Sequence, residues 1–312
     1  MISGELREIE ISEMEGLRIG NAQDDEAGTG VTVLLFDGGA TVGSDISGGG
    51  PAARETHLTD ATTADNPINA IVLSGGSAYG LAAADGVMQY LEEHGIGYDT
   101  GYALVPLVVQ SCIYDLSYKS ATIRPDKDMG YAACTDAEIN LARSGSVGAG
   151  CGATVGKICG MERCSKSGLG ICALQLGDLK MAAIVVVNAL GDVFDPETGE
   201  ILAGLRSEDG MGFDDSRAEL YKINRRTDMF TGNTTIGAVI TNGRFSKAEM
   251  NKIASMTRNA YARCINPVGT MADGDTIYAA SIGEVDADIN VAGTLAAQAM
   301  QQAIVNAVTS VQ

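Results

Sequence analysis

The chain has 312 residues, of which 45% are apolar, and this composition is typical of a folded protein with a buried core rather than of a disordered chain. The formal net charge of −19 and the absence of Trp argue against nucleic acid as a partner, because phosphate binding needs clustered Lys and Arg and base stacking needs aromatic rings. No apolar run approaches the roughly 20 residues that span a bilayer, so we expect no membrane association.

The N-terminal residues and the cysteines indicate an intracellular chain. No basic segment followed by an apolar one opens the sequence, so no signal peptide is predicted and we expect a cytoplasmic protein. The seven Cys are scattered and odd in number, which favours reduced thiols over a disulfide framework. There is no Cys-x-x-Cys pair, and His57 and His94 are the only histidines, so we predict no metal site and no cofactor.

Buried strands and helices alternate through the first half of the chain. Residues 31–36 are predicted to form a strand, Asp37-Gly38 a hairpin turn, and residues 40–44 the returning strand. Further on, the pattern predicts a strand at 70–73, a helix from 81 to 95, a strand at 104–109 and a helix at 136–143.

The second half has a strand pair, a polar connector and a last group of four elements. Strands are predicted at 171–176 and 181–187, around a turn at Gly177-Asp178. Residues 191–232 are rich in charge and turn residues, with at most a short helix at 216–224. Beyond them we predict a strand at 235–241, a helix at 246–261 that starts with a capping box of Ser246 and Glu249, a strand at 276–282 and a helix at 291–308. The class is therefore α/β or α+β, and we expect one domain over 1–312 because the last 79 residues are too few to stand alone.

The bond between Asn233 and Thr234, where the polar connector gives way to an apolar run, is a candidate self-cleavage point. Cleavage there would give Thr234 a free α-amine, which titrates near neutral pH, roughly 7.7 to 8.0, and can act as a general base beside the hydroxyl. The alternative is an ordinary turn at Gly232-Asn233 that leads into a strand, since Gly and Asn are common turn residues.

Two glycine-rich loops offer other chemistry. Gly148 to Ala153 fits a loose dinucleotide fingerprint, but no strong strand precedes it and no clear helix follows. Ser77 lies in a strand-turn-helix context that resembles a hydrolase nucleophile elbow, yet Tyr79 replaces the final Gly and His94 is the only histidine downstream. A milder interpretation is that backbone N–H groups at this helix start bind an anion or an oxyanion.

Single polar residues in the second half allow more than one interpretation. Asp273 and Asp275 flank one Gly, and such a pair can be a hairpin turn, a metal site or an orienting pair for a nucleophile. Asn188 ends a strand, where its amide can donate to an oxyanion or simply cap a turn. Lys157 can equally be a surface lysine.

Together these residues occur in an order that resembles the DmpA-like family of self-processing N-terminal nucleophile hydrolases. That family includes L-aminopeptidase/D-esterases, β-peptidyl aminopeptidases and nylon-oligomer hydrolases. The segments that carry the likeness are 20–22 with 29–33, 73–86 (LSGGSAYGLAAADG), 147–157 (VGAGCGATVGK), 187–192 (VNALGD), 233–237 (NTTIG) and 272–276 (ADGDT). The resemblance implies an αββα four-layer sandwich, cut into an α subunit (1–233) and a β subunit (234–312) that stay together and assemble into homo-oligomers.

The resemblance also implies roles for individual residues. Thr234 matches the nucleophile, Asn188 the residue that stabilises the oxyanion, and Asp273 with Asp275 the acidic pair that orients the nucleophile. Lys157 and Tyr114 match positions that line the site. The threonine and the acidic pair look most like the nylon-oligomer hydrolase branch, whereas aminopeptidase members often have Gly-Ser at the cut. The implied activity is hydrolysis of amide or ester bonds in small peptides or amino-acid oligomers through an acyl-enzyme.

Two other functions stay open at the level of sequence. One is an uncleaved binding protein that keeps the fold without catalysis. The other is a hydrolase that uses Ser77 rather than Thr234 as its nucleophile.

Overall fold

The computed structural model describes residues 4–223 and 232–311. The strands, in chain order, are β1 (Leu6–Ile9), β2 (Leu17–Asp24), β3 (Thr29–Ile46), β4 (Ala52–Arg54), β5 (Ile68–Ser74), β6 (Tyr98–Asp99), β7 (Leu104–Val105), β8 (Val108–Cys112), β9 (Thr154–Val155), β10 (Ser165–Lys166), β11 (Leu169–Leu176), β12 (Leu179–Asn188), β13 (Asp192–Phe194), β14 (Ile201–Ala203), β15 (Thr234–Gly243), β16 (Ile265–Asn266) and β17 (Thr276–Val285). The helices are α1 (Ala83–Glu93), α2 (Lys127–Asp136), α3 (Ser216–Tyr221), α4 (Lys247–Cys264) and α5 (Ile289–Thr309). In this described part, no helix combines the length and apolar character that crossing a membrane requires.

The main strands form two sheets, and the long strand β3 belongs to both. The first sheet has the order β1, β11, β12, β15, β17, β3, and the second has the order β2, β3, β5, β8, β4. Residues 29–36 of β3 pair with β2, whereas residues 41–46 pair with β17. The strand therefore connects the two sheets covalently and hydrogen-bonds within each.

The hairpin predicted at Asp37-Gly38 is wrong, because β3 continues through these residues. Its register with β5 shifts between Leu35 and Ala40, which marks the point where the strand passes from one sheet to the other. A hairpin would place the two apolar halves of β3 side by side in one sheet. In the structure each half pairs within a separate sheet, so Leu34 and Val42 are both fully enclosed by the core.

Apolar side chains separate the layers of the fold. Helices α4 and α5 cover the outer face of the first sheet, through residues such as Val185, Val239, Ile253, Met300 and Ile304. The facing surfaces of the two sheets meet through residues such as Leu34, Ile71, Ile184, Ile236 and Ile240. Helices α1 and α2 cover the outer face of the second sheet, through residues such as Val33, Val72, Val87, Leu91 and Ala133. The expected αββα sandwich is confirmed.

Two element predictions in the first half also need correction. The helix predicted at 136–143 lies earlier, at Lys127–Asp136, because the Asp126 side chain caps it by accepting a hydrogen bond from Met129 N at 2.9 Å. The strand predicted at 104–109 is split into β7 and β8 around Pro106, which lacks the N–H that a continuous ladder needs. The strand pair at Gly177-Asp178 and the capping box of Ser246 with Glu249 are confirmed.

The polar connector predicted at 191–232 contains more structure than expected. It forms β13, β14 and α3, and the buried Asp192 carboxylate holds it by accepting hydrogen bonds from Leu205 N at 2.8 Å and from Ser216 N and Oγ at 2.7 Å each. The remainder of the connector, from Asn224 at the end of the short predicted helix to Thr231, lies outside the described residues.

Several glycines allow helices to pack directly on strand backbone. A Cβ on Gly170 would lie 1.8 Å from Ala303 O of α5, one on Gly43 would lie 2.1 Å from Asn251 N of α4, and one on Gly20 would lie 2.1 Å from Ala133 O of α2. These positions account for part of the high glycine content, which is 40 of 312 residues. The two helical layers therefore approach the sheets at backbone contact distance.

We expect Gly43→Ala to lower the free energy of unfolding by about 1–3 kcal/mol, because the added methyl would overlap the α4 backbone. Gly38→Ala is the matched control, since a Cβ at Gly38 meets nothing within 4 Å, and we expect it to change stability by less than about 1 kcal/mol. Urea unfolding of both variants checks this; equal midpoints would contradict the packing argument.

Candidate active site

Strand register places Thr234 opposite Asn188, where β15 begins and β12 ends. Residues that oppose each other in an antiparallel pair project to the same face of the sheet, and so do residues two positions apart along one strand. Ile236 and Val186 lie in the layer between the two sheets. Thr234 and Asn188 therefore project toward this same layer, at the end where both strands stop pairing.

The Thr234 hydroxyl lies against the peptide bond that precedes it. The residue is only 5% exposed, and Oγ1 donates a hydrogen bond to the carbonyl oxygen of Asn233. The same carbonyl oxygen accepts a second hydrogen bond from Gly274 N at 2.9 Å. A Cβ on Gly274 would lie 3.0 Å from Thr234 Oγ1, so a glycine here lets the backbone donor approach both groups.

Asn188 is fully buried, and its side-chain amide is held by three neighbouring residues. Nδ2 donates to Tyr114 O at 2.9 Å, while Oδ1 accepts from Thr154 N at 3.1 Å and from Lys157 Nζ at 2.9 Å. These partners fix which atom is oxygen and which is nitrogen. An amide nitrogen carries two hydrogens, of which the Tyr114 carbonyl uses one.

Lys157 is buried at the centre of this cluster and is not a surface lysine. Nζ donates to Asn188 O at 2.9 Å, to Asn188 Oδ1 at 2.9 Å and to Gly232 O at 3.4 Å. It therefore links the end of β12 to the chain just before Thr234. Burial lowers the pKa of Lys157 to about 7, although the nearby Asp273, Asp115 and Asp275 act in the opposite direction.

Asp273 and Asp275 are both buried and both accept hydrogen bonds. Asp273 Oδ2 accepts from Thr270 N at 2.7 Å and from Thr270 Oγ1 at 2.6 Å. Asp275 Oδ1 accepts from Thr235 N at 2.6 Å, and its Oδ2 accepts from Gly269 N at 3.0 Å. Burial raises the pKa of Asp273, and burial followed by the charge of Asp273 raises the pKa of Asp275 to about 7.

The glycine loop that precedes β4 supports this acidic segment. Gly50 N donates to Asp273 O at 2.9 Å, and Gly48 N donates to Asp275 O at 3.2 Å. A Cβ on Gly48 would lie 2.3 Å from Asp275 N. The two backbone segments are thus in direct contact, and the hydrogen bonds from the glycine loop hold the backbone of both acidic residues in place.

Tyr114 and Gly232 pack against each other beside Lys157. Gly232 has φ +69°, and a Cβ there would lie 2.1 Å from Tyr114 Cδ1, so any side chain would have to displace the ring. The Tyr114 ring is half-buried and faces the residue that leads into Asn233. The predicted residues Thr234, Asn188, Lys157, Tyr114, Asp273, Asp275 and Asn233 therefore come together at one end of the sandwich.

Ser77 is placed differently from these residues. It begins a 3-10 turn at φ 54°, and its backbone N donates to Ile113 O at 2.9 Å. Within the described chain, no hydrogen bond connects its side chain to Thr234, Asn188 or Lys157. His94 follows the 11 residues of α1, which are about 16 Å long at 1.5 Å per residue. A nucleophile-base pair of Ser77 and His94 is therefore not formed.

Sequence reasoning missed three contributors to the site. Gly274 supplies the backbone donor to the Asn233 carbonyl, Thr154 supplies a donor to Asn188, and Asp115 lies buried directly after Tyr114. Only their positions in the sequence could have indicated these roles. Gly274 separates the two predicted acids, and Thr154 and Asp115 lie close in sequence to predicted residues. In the described residues, no group of three or more His, Cys, Asp or Glu is arranged to hold a metal ion.

Comparison with known sequences places the chain in a hydrolase family. A model of peptidase family S58 matches residues 10–312. An uncharacterized aminopeptidase of Mycobacterium tuberculosis is 37% identical over 291 residues, which cover 88% of this chain and 82% of that protein. A 6-aminohexanoate-oligomer endohydrolase of Kocuria sp. is 34% identical over 275 residues, which cover 87% of this chain and 74% of that protein.

Solved structures share the fold at low sequence identity. An L-aminopeptidase D-Ala-esterase/amidase of Ochrobactrum anthropi, described as a variant of the Ntn hydrolase fold, superposes with a TM-score of 0.71 at 15% identity, covering 97% of this chain and 86% of that one. A Burkholderia sp. β-aminopeptidase superposes with a TM-score of 0.69 at 17% identity, covering 98% and 88%.

Fold and relatives together define a hydrolase with the N-terminal nucleophile hydrolase fold. The chain belongs to peptidase family S58, and the resemblance seen in the sequence is confirmed.

We expect the buried Lys157 to make folding stability depend on pH. Its folded pKa of about 7 lies below its ordinary value of 10.5, so between these values the unfolded chain binds more protons and stability rises with pH. Between pH 6 and pH 8 the chain should gain about 1 kcal/mol relative to Lys157→Met. Parallel pH series of urea unfolding measure this difference, and a difference that does not change with pH would show that Lys157 is not buried as a titrating cation.

Proposed function

We propose that the chain is a self-processing N-terminal-threonine hydrolase that cleaves amide bonds of small peptides or amino-acid oligomers. The observation that carries the proposal is the contact of Thr234 Oγ1 with the carbonyl oxygen of Asn233. A hydroxyl held beside the carbonyl of the preceding residue is placed for an N-to-O acyl shift. Membership of a peptidase family supports the same chemistry.

Self-cleavage would begin when Thr234 Oγ1 attacks the Asn233 carbonyl carbon and gives its proton to the neutral amine of Lys157, whose Nζ contacts the carbonyl oxygen of Gly232. The negative charge that develops on the carbonyl oxygen would be stabilised by Gly274 N–H, which already donates to it at 2.9 Å. The C–N bond then breaks, the Thr234 nitrogen takes a proton, and an ester remains. Water hydrolyses that ester, which releases Asn233 as a carboxylate and restores the Thr234 hydroxyl.

In the mature enzyme the free α-amine of Thr234 would act as general base for its own hydroxyl. The hydroxyl attacks a substrate carbonyl, the amine product leaves with a proton, and water clears the acyl-enzyme. Asn188 Nδ2, which the Tyr114 carbonyl and Lys157 hold in a fixed orientation, would donate to the oxyanion. Asp275 orients the nucleophile strand through Thr235 N.

The proposal includes the products of the cut. One domain over 1–312 would be divided into pieces 1–233 and 234–312 that stay associated. The substrate class follows the relatives, one an aminopeptidase and one an endohydrolase of 6-aminohexanoate oligomers, so short peptides and ω-amino-acid oligomers are the first substrates to test.

We expect Thr234→Ala to remain one chain without hydrolytic activity, because the attacking hydroxyl is lost. Thr235→Val is the matched control, since it removes the neighbouring buried hydroxyl but leaves Thr234 intact, and it should still be cut. Intact mass spectrometry distinguishes one chain of 312 residues from pieces of 233 and 79 residues.

The outcomes separate the proposal from its alternatives. A Thr234→Ala variant that is still cut, or that keeps full turnover, would disprove the assignment. A wild-type chain that stays uncut and hydrolyses no substrate would indicate the non-catalytic binding relative. Activity that is lost in Ser77→Ala but kept in Thr234→Ala would indicate the Ser77 hydrolase.

We expect the self-cleavage rate to rise between pH 6 and pH 8. The pKa values of Lys157 and Asp275 are both about 7. The deprotonated amine of Lys157 can accept a proton, and the deprotonated carboxylate of Asp275 accepts the hydrogen bond from Thr235 N. Purified precursor, produced at low pH and shifted to each pH, gives the rate by gel densitometry. A flat profile would show that neither group controls the step.

A further inference from the structure

Asp115 is a buried carboxylate that no step of the proposed reaction uses. It is 3% exposed and follows Tyr114 directly in the turn after β8. Its Oδ1 accepts from Gly76 N at 2.7 Å, and its Oδ2 accepts from Thr29 Oγ1 at 2.6 Å. The carboxylate therefore joins the end of β8 to the end of β5 and the start of β3.

Two glycines in the segments around Asp115 leave the space that its side chain occupies. A Cβ on Gly75 would lie 1.9 Å from Asp115 Oδ2, and a Cβ on Gly152 would lie 2.6 Å from Asp115 Cβ. Two glycine loops that are distant in sequence are thus both in contact with one carboxylate. Any side chain at either glycine would push Asp115 away, so the loops and the acid form one unit.

This unit reaches the candidate site through two neighbours. The carbonyl of Tyr114, the preceding residue, accepts the Asn188 Nδ2 hydrogen bond, and the Tyr114 ring packs on Gly232. The loop of Gly152 continues to Thr154, whose N donates to Asn188 Oδ1. Both ends of the Asn188 amide are therefore bonded to segments that Asp115 holds in place.

We propose that Asp115 is a positioning residue of this site, which fixes the turn that orients Asn188 and supplies negative charge to Lys157. The inference rests on the proposed function and adds a residue to its machinery. The groups whose charges favour the protonated form of Lys157 include Cys164, Asp273, Asp115 and Asp275. Of these, Asp115 is the carboxylate contributed by the second sheet.

The variant Asp115→Asn removes the negative charge of the side chain but keeps its hydrogen bonds. An amide can keep both hydrogen bonds, because its oxygen accepts from Gly76 N and its nitrogen donates to the Thr29 hydroxyl. Loss of the negative charge then lowers the pKa of Lys157, because a nearby negative charge favours the protonated ammonium. A purely structural role of Asp115 would leave that pKa unchanged.

The Lys157 pKa is read from a titration of ¹³Cε-labelled lysine by NMR, in the uncut Thr234→Ala background. Lys157→Met in the same background assigns the signal. In parallel, the pH dependence of self-cleavage is measured with Thr234 present, and we expect its limb near pH 7 to move to lower pH by the same amount in Asp115→Asn. Asp288→Asn is the control for loss of one negative charge, because Asp288 is exposed at the start of α5 and an amide oxygen keeps its hydrogen bonds from Asn290 N and Val291 N; it should shift neither value.

An unchanged Lys157 pKa and an unchanged limb in folded Asp115→Asn would overturn the inference, as would an equal shift in Asp288→Asn. If Asp115→Asn does not fold, Thr29→Val and Thr29→Ser decide: the serine keeps the hydroxyl donor to Asp115, and the valine should slow self-cleavage several-fold relative to it. Equal rates would reject the positioning role. A wild-type chain that never cuts would contradict the proposed function, while the NMR titration would still test the charge effect.

Discussion

The burial of one amine, that of Lys157, is the constraint on which the arrangement of the site depends. An ammonium group removed from water must find hydrogen-bond acceptors, or its burial costs several kcal/mol. Here the acceptors are the carbonyl and the side chain of Asn188 and the carbonyl of Gly232. The end of β12 and the residue two positions before Thr234 must therefore meet at Lys157 whenever the chain is folded.

The acidic residues complete this arrangement with little freedom of their own. Each of Asp115, Asp273 and Asp275 accepts hydrogen bonds from backbone N–H or threonine hydroxyl groups, so none can rotate without leaving a buried donor unpaired. The glycine loops are what make such close backbone approach possible. Much of the glycine content thus serves the site as well as the helix-sheet contacts.

The sequence was informative where pattern and chemistry coincide. Long apolar runs predicted β5, β12 and β15, the capping box predicted the start of α4, and the order of motifs identified the family. The path of β3 could not be predicted, because Asp37-Gly38 has the local signature of a turn and only tertiary burial keeps the strand extended. Asp115 and Gly274 were missed because their roles come from contacts with residues distant in sequence or from a backbone N–H, which no residue type reveals. The roles assigned to the site residues themselves stay predictions.

The position of β15 and β17 constrains the order of events in the life of the protein. These neighbouring strands lie inside the first sheet, with β12 on one side and β3 on the other, and the flanking strands both come from residues before Thr234. A piece comprising residues 234–312 would thus contribute two neighbouring strands whose outer edges find hydrogen-bond partners only in the rest of the chain. Two separately synthesised pieces would each expose unpaired strand edges and apolar faces. Under the proposed self-cleavage, folding as a single polypeptide would therefore come before the cut, and the uncut chain would serve as the template for the two-piece form.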